Sequence, residues 1–69
     1  MITTITVQQN DVDEFTIEKI SNCENSGIED TKGDWMQIII KIHKHLIDND
    51  YEMKEVFEAN GKLIFIGEC

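Results

Sequence analysis

Two histidines, two cysteines and many carboxylates are the residues of this chain with the chemistry to catalyse or to bind a metal. His43 and His45 stand in the apolar run Trp35–Ile47, which reads as a helix. A helical metal pair needs i, i+3 or i, i+4 spacing so that both rings share a face. Two apart, the rings diverge. The expectation is therefore no metal site, with His45 a solvated surface residue. His43 then borders the apolar face near the helix C-terminus, where positive charge is favoured. Asp48-Asn49-Asp50-Tyr51-Glu52 opens like a calcium loop. However, Met53 stands where the sharp-turn glycine belongs, and Ala59 where the bidentate glutamate belongs. Cys23 lies in a polar, acidic loop that disfavours the thiolate, and Cys69 is the last residue. Ser26 has neither a nucleophile elbow nor a histidine at motif spacing. No CxxC or Cys/His pattern occurs, so the cysteines read as free thiols of a reducing cytosol. No catalytic residue, metal or cofactor is expected, and the chain reads as a non-enzyme.

The carboxylates are a stronger signal than any motif. Fourteen acids face six lysines, there is no arginine, and the net charge is −8. Direct binding to nucleic acid or to an anionic membrane needs a basic surface that displaces counterions. A partner protein with a basic surface, reached by electrostatic steering, fits instead. The candidate acidic surface is Asp11, Asp13, Glu14 and Glu18 after the first strand, Glu29 and Asp30 in the long connection, and Glu52, Glu55 and Glu58 along the third strand. The competing reading is a polar face that only keeps the chain soluble.

Sixty-nine residues allow one small domain spanning 1–69. Met1–Gln8 reads as a β-branched strand, with Ile5 and Val7 on one face and threonines on the other. A second strand, Asp13–Ser21, alternates Phe15 and Ile17 with Thr16 and Glu18. Facing Ile5 to Ile17 and Val7 to Phe15 requires an odd-length loop, because a one-residue slip flips every side chain. Asn22–Gly33 has no periodicity and reads as a connection, with a capping-box spacing at Ser26 and Glu29. The helix then starts at an Asp34 N-cap, or at Asp30/Thr31 one turn earlier, and runs to about Asp48. Its core stripe is Trp35, Ile38, Ile39, Ile42 and Leu46.

Asn60-Gly61 between two alternating apolar runs predicts a type I′ hairpin. That turn pairs Phe57 with Ile64, Val56 with Phe65, and Glu55 with Ile66. One face carries Tyr51, Met53, Phe57, Ile64 and Ile66 and is expected under the helix. The other carries Val56, Leu63 and Phe65, expected to form an apolar partner-binding patch on the face away from it. The last strand is apolar on both faces and should lie inside the sheet. The fold class is α+β: a four-stranded antiparallel sheet in ββαββ order with one helix packed on one face.

In size, acidity and element order the chain resembles the small phage-encoded inhibitors of bacterial defence, the anti-CRISPR proteins in particular. The resemblance covers the whole chain, matches no family motif and transfers no functional residue. It implies a non-catalytic protein inhibitor that binds a Cas protein or complex and blocks nucleic-acid binding or assembly in the host cytosol. Antitoxin and immunity proteins share the description, which leaves a dimerising structural or immunity-type module as the alternative. No basic segment followed by an apolar run opens the chain, and no stretch reaches the ~18 apolar residues of a membrane span. A cytoplasmic location without signal peptide or membrane contact is the expectation.

Overall fold

The computed structural model describes residues 1–23 and 27–69. Strands β1 (Ile2–Asp11) and β2 (Glu14–Ser21) form a hairpin. A two-residue strand, β3 (Lys32–Gly33), leads into helix α1 (Trp35–Asp48). Strands β4 (Glu52–Ala59) and β5 (Lys62–Glu68) close the chain as a second hairpin. All five strands lie in one antiparallel sheet of order β3-β2-β1-β5-β4. The architecture is thus α+β with one helix, but the sheet has five strands rather than four. The extra one is the end of the supposed connection, held on β2 by Phe15–Gly33 and Thr16–Lys32 pairing. Two residues are too short to carry a periodic signal.

The two hairpins meet along β1 and β5. Thr3, Ile5 and Val7 of β1 stand opposite Gly67, Phe65 and Leu63 of β5. Ile5, Val7 and Phe65 are buried, together with Phe15, Ile17 and Ile20 of β2 and Ile38, Ile42 and Leu46 of α1. Each such side chain contributes about 1.5–3 kcal/mol on leaving water. Thr3 is also buried, and its hydroxyl donates to the Ser21 carbonyl at 2.7 Å, so its polar atom is satisfied. The helix can come close at this end because position 67 has no side chain. A Cβ there would sit 2.7 Å from Leu46 Cδ2 and 3.1 Å from Thr3 Cγ2.

The Asn60-Gly61 turn takes the expected form, with φ of 53° and 78°. Its register is Phe57–Ile64, Val56–Phe65 and Glu55–Ile66, as the sequence predicts. The first hairpin departs from expectation. Its loop is the two-residue Val12-Asp13, Val7 faces Ile17 rather than Phe15, and Ile5 faces Ile20. Two irregularities, between Thr6 and Val7 and between Gln9 and Asp11, restore the apolar residues to one face. Glu18 has no opposite residue, so Ile17 and Ile20, three apart, both point into the core.

The helix boundaries follow local chemistry. Asp34 caps the N-terminus by accepting from the Gln37 amide at 2.9 Å, and the Gln37 side chain accepts from the Asp34 amide at 2.9 Å. Asp13 adds a second acceptor, 3.3 Å from the Trp35 amide. Asp30 instead sits in the left-handed region at φ 66°, in a turn that hydrogen-bonds back to Ile17. Part of the supposed Ser26/Glu29 capping box lies outside the described residues. At the C-terminus Tyr51 donates its amide to the Leu46 carbonyl at 2.8 Å, and Asp50, at φ 61°, turns the chain toward β4.

Candidate functional site

The sheet has a covered and an uncovered face, and the hairpin β4–β5 is apolar enough to serve either. Phe65 is 1% exposed and lies against Trp35, ring centroids 6.2 Å apart, while Leu63 packs on the same core. The expectation that Val56, Leu63 and Phe65 form the patch away from the helix is therefore corrected: their face is the helix-covered one. Val56 shares it but lies on the edge strand β4 and stays half-exposed. Phe57, Ile64 and Ile66, expected beneath the helix, point the other way. The deciding information is in β1. Its inward residues are Thr3, Ile5 and Val7, opposite Gly67, Phe65 and Leu63, while Thr4 and Thr6 face outward. Met53 also changes sides, because Lys54 has no opposite residue and shifts the register between Met53 and Glu55.

The uncovered face is a row of cross-strand neighbours. Thr6, Ile64 and Phe57 lie side by side on β1, β5 and β4, and Thr4, Ile66 and Glu55 form the next row. Beyond them stand Ile2, Glu68 and Glu52. Ile2 is 50% and Phe57 41% exposed, and Ile64 and Ile66 are half-buried. At the far margin Glu18 forms an ion pair with Lys62 at 2.6 Å. The result is an apolar stripe, Ile2–Ile66–Ile64–Phe57, bordered by Glu18, Glu52, Glu55 and Glu68. The sequence signal that would have found it is the match between the β1 and β5 alternations.

The candidate acids do not form one cluster. Asp11, Asp13 and Glu14 sit at the β1–β2 turn, and Glu58 ends β4 at the same end of the sheet. Glu29 and Asp30 lie on the β2 side, and Glu52 and Glu55 on β4. Several have structural work. Asp11 accepts from the Val12 amide, Asp13 supports the helix start, and Glu29 accepts from the Ile20 amide at 3.3 Å. Glu18 pairs with Lys62, and Glu52 with Lys54 at 3.5 Å. The exposed side chains of Glu14, Asp30, Glu55 and Glu58 make no hydrogen bond or ion pair among the described residues. Of the lysines, Lys41 and Lys44 lie on the helix and Lys19, Lys32, Lys54 and Lys62 on strands.

The histidines exchange roles relative to expectation. His43 is exposed, and His45 is 5% exposed. His45 lies between the helix and the segment following β2, where its Nε2 is 3.7 Å from Cys23 Sγ. Burial lowers the His45 pKa below the usual 6.5, opposed in part by the Asp48 charge. Position 45 is on the stripe of Ile38 and Ile42, which counting of apolar residues alone does not register. Cys23 and Cys69 are free thiols. Among the described residues no three His, Cys, Asp or Glu side chains gather as a metal site, and no helix is long and apolar enough to cross a membrane.

Comparison with protein-family models, curated proteins and solved structures returns no match.

Proposed function

We propose that this chain is a non-catalytic inhibitor that binds a basic, nucleic-acid-handling protein of a bacterial defence system, such as a Cas protein or complex. By occupying the basic surface it blocks nucleic-acid binding or assembly. The observation that carries the reading is the apolar stripe Ile2–Ile66–Ile64–Phe57 with glutamates along its borders, on a chain of net charge −8. An exposed apolar stripe supplies affinity by leaving water, and the acidic border selects a basic partner and speeds encounter. The stripe replaces the patch anticipated at Val56, Leu63 and Phe65. The resemblance to anti-CRISPR proteins in size, charge and element order supplies the partner class.

The test is a binding titration against purified Cas complexes and other nucleic-acid-handling effectors at low and high salt. Binding should weaken steeply with salt. Charge reversal at Glu14, Glu18, Glu55 or Glu58 should weaken it more than reversal at Lys41 or Lys44. Salt-insensitive binding, or indifference to the acidic changes, would sink the proposal. The alternative, a dimerising antitoxin-like or immunity-type module, draws on the open edge of β4. It predicts a concentration-dependent mass in sedimentation. A symmetric dimer across the stripe would bring Glu52, Glu55 and Glu68 of two copies together, which like-charge repulsion opposes.

A further inference from the structure

Cys23 and His45, twenty-two residues apart in sequence, are brought together at one end of the helix. His45 is almost fully buried, and its charged form is disfavoured there. In the tautomer that carries its proton on Nδ1, Nε2 can accept from the Cys23 thiol 3.7 Å away. Cys23 is half-buried, and it opens on a surface depression of about 690 Å³ lined also by Met1, Ile2, Asn22, Asn49 and Tyr51. A second depression of about 300 Å³ reaches His45 from the other side, past Lys41, Lys44 and Asp48. Among the described residues the thiol therefore has a base within reach and an open approach for a small molecule. Cys69 is exposed and has no histidine beside it among the described residues, so the chain contains its own reference thiol.

We propose that Cys23 and His45 form a reactive thiol–imidazole pair at which the chain takes up a low-molecular-mass thiol by exchange with a disulfide. His45 Nε2 takes the Cys23 proton, and the thiolate attacks one sulfur of the small disulfide. A bond forms between Cys23 Sγ and that sulfur as the original S–S bond breaks. The departing thiolate takes the proton back from the His45 imidazolium. One thiol and one disulfide give one mixed disulfide and one free thiol, with no net oxidation. The mixed disulfide would fill the depression in front of Met1 and Ile2, at the end of the sheet away from the Asn60-Gly61 turn. This site does not depend on the inhibitor reading.

The probe is glutathione disulfide, with the product read by intact mass. C69S leaves only Cys23 and C23S leaves only Cys69. In the folded chain C69S should react roughly tenfold faster than C23S, and in denaturant the two rates should converge, since the advantage lies in the fold. H45Q in the C69S background should lose most of the advantage while retaining a native thermal transition. Because burial keeps His45 neutral, the advantage of C69S over C23S should persist below pH 6.5 and vanish where His45 takes up its proton, which a merely packed histidine would not cause. The charged and ionisable groups that face the pair are Asp48, Lys41, Lys44 and Tyr51, with Cys69 in wild type. Equal or slower reaction of folded C69S overturns the proposal, and so does an H45Q rate equal to that of its parent. If H45Q does not fold, coincident pH profiles of C69S and C23S overturn it instead.

Discussion

Strand β5 serves two faces that differ in what meets them. On one, Phe65 is 1% exposed beneath Trp35 and the helix. On the other, Ile64 and Ile66, its immediate neighbours in sequence, are only half-buried among threonines and Phe57. By hydrophobicity the two faces are nearly equal. What separates them is the partner strand. In the middle of β1, Ile5 and Val7 stand on one side and Thr4 and Thr6 on the other, and pairing transfers that asymmetry to β5. A strand with no preference takes its orientation from a neighbour that has one.

The largest effect that would test this contrast is truncation on the covered side. Phe65→Ala should cost about 3–5 kcal/mol, enough to unfold much of so small a domain. Ile64→Ala should cost well under half of that, both read by urea denaturation. Equal losses would mean the faces are not distinguished as described. Next, Gly67→Ala places a methyl group against Leu46 and Thr3, and should destabilise by roughly 1–3 kcal/mol through forced repacking. Alanine in place of Thr4, on the uncovered face, should change stability by less than about 1 kcal/mol. Third, Asp34→Ala removes the capping acceptor and should cost about 1 kcal/mol, with fraying visible in amide exchange at the first turn.

The smallest effect is in pH dependence. The folded-state pKa of His45 is depressed below its unfolded value, so the unfolded chain binds the extra proton first. Its contribution is complete above about pH 6.5 and is lost as pH falls below that value, levelling off once the folded form is also protonated. The stability difference between wild type and H45Q, read by urea denaturation, should shrink over this window. A difference that stays constant with pH would overturn the burial of His45 as its cause.

Much of the architecture was legible because several signals were local. The Asn60-Gly61 turn requires two residues of positive φ, and its dipeptide supplies them, so register followed from the sequence. Asp34 reads as an N-cap from the sequence, with Asp30/Thr31 one turn earlier as the alternative, and the Gln37 side chain that completes the box is seen only in the structure. The first hairpin was legible as two strands but not as a register, since its bulges trade local regularity for tertiary burial. The spacing Phe15, Ile17, Ile20 contained the clue, a change from two to three. The faces of β4–β5 were not legible from that hairpin alone, because its orientation is decided across the sheet by β1. The Cys23–His45 pair was invisible for a similar reason. Its members come from the segment after β2 and from the helix, and only the packed fold brings them together.

Lys54 has one more consequence. β4 is an edge strand with few buried side chains, the kind of surface on which extended chains stack into fibrils. The unmatched lysine interrupts its pleat near the middle, and Glu52, Glu55 and Glu58 place charge on both sides of the interruption. An incoming strand of the same sequence would meet a kink and a line of like charges. Stacking of copies through the β4 edge is thus opposed by charge and by a kink, while the apolar stripe on the sheet face stays open to water.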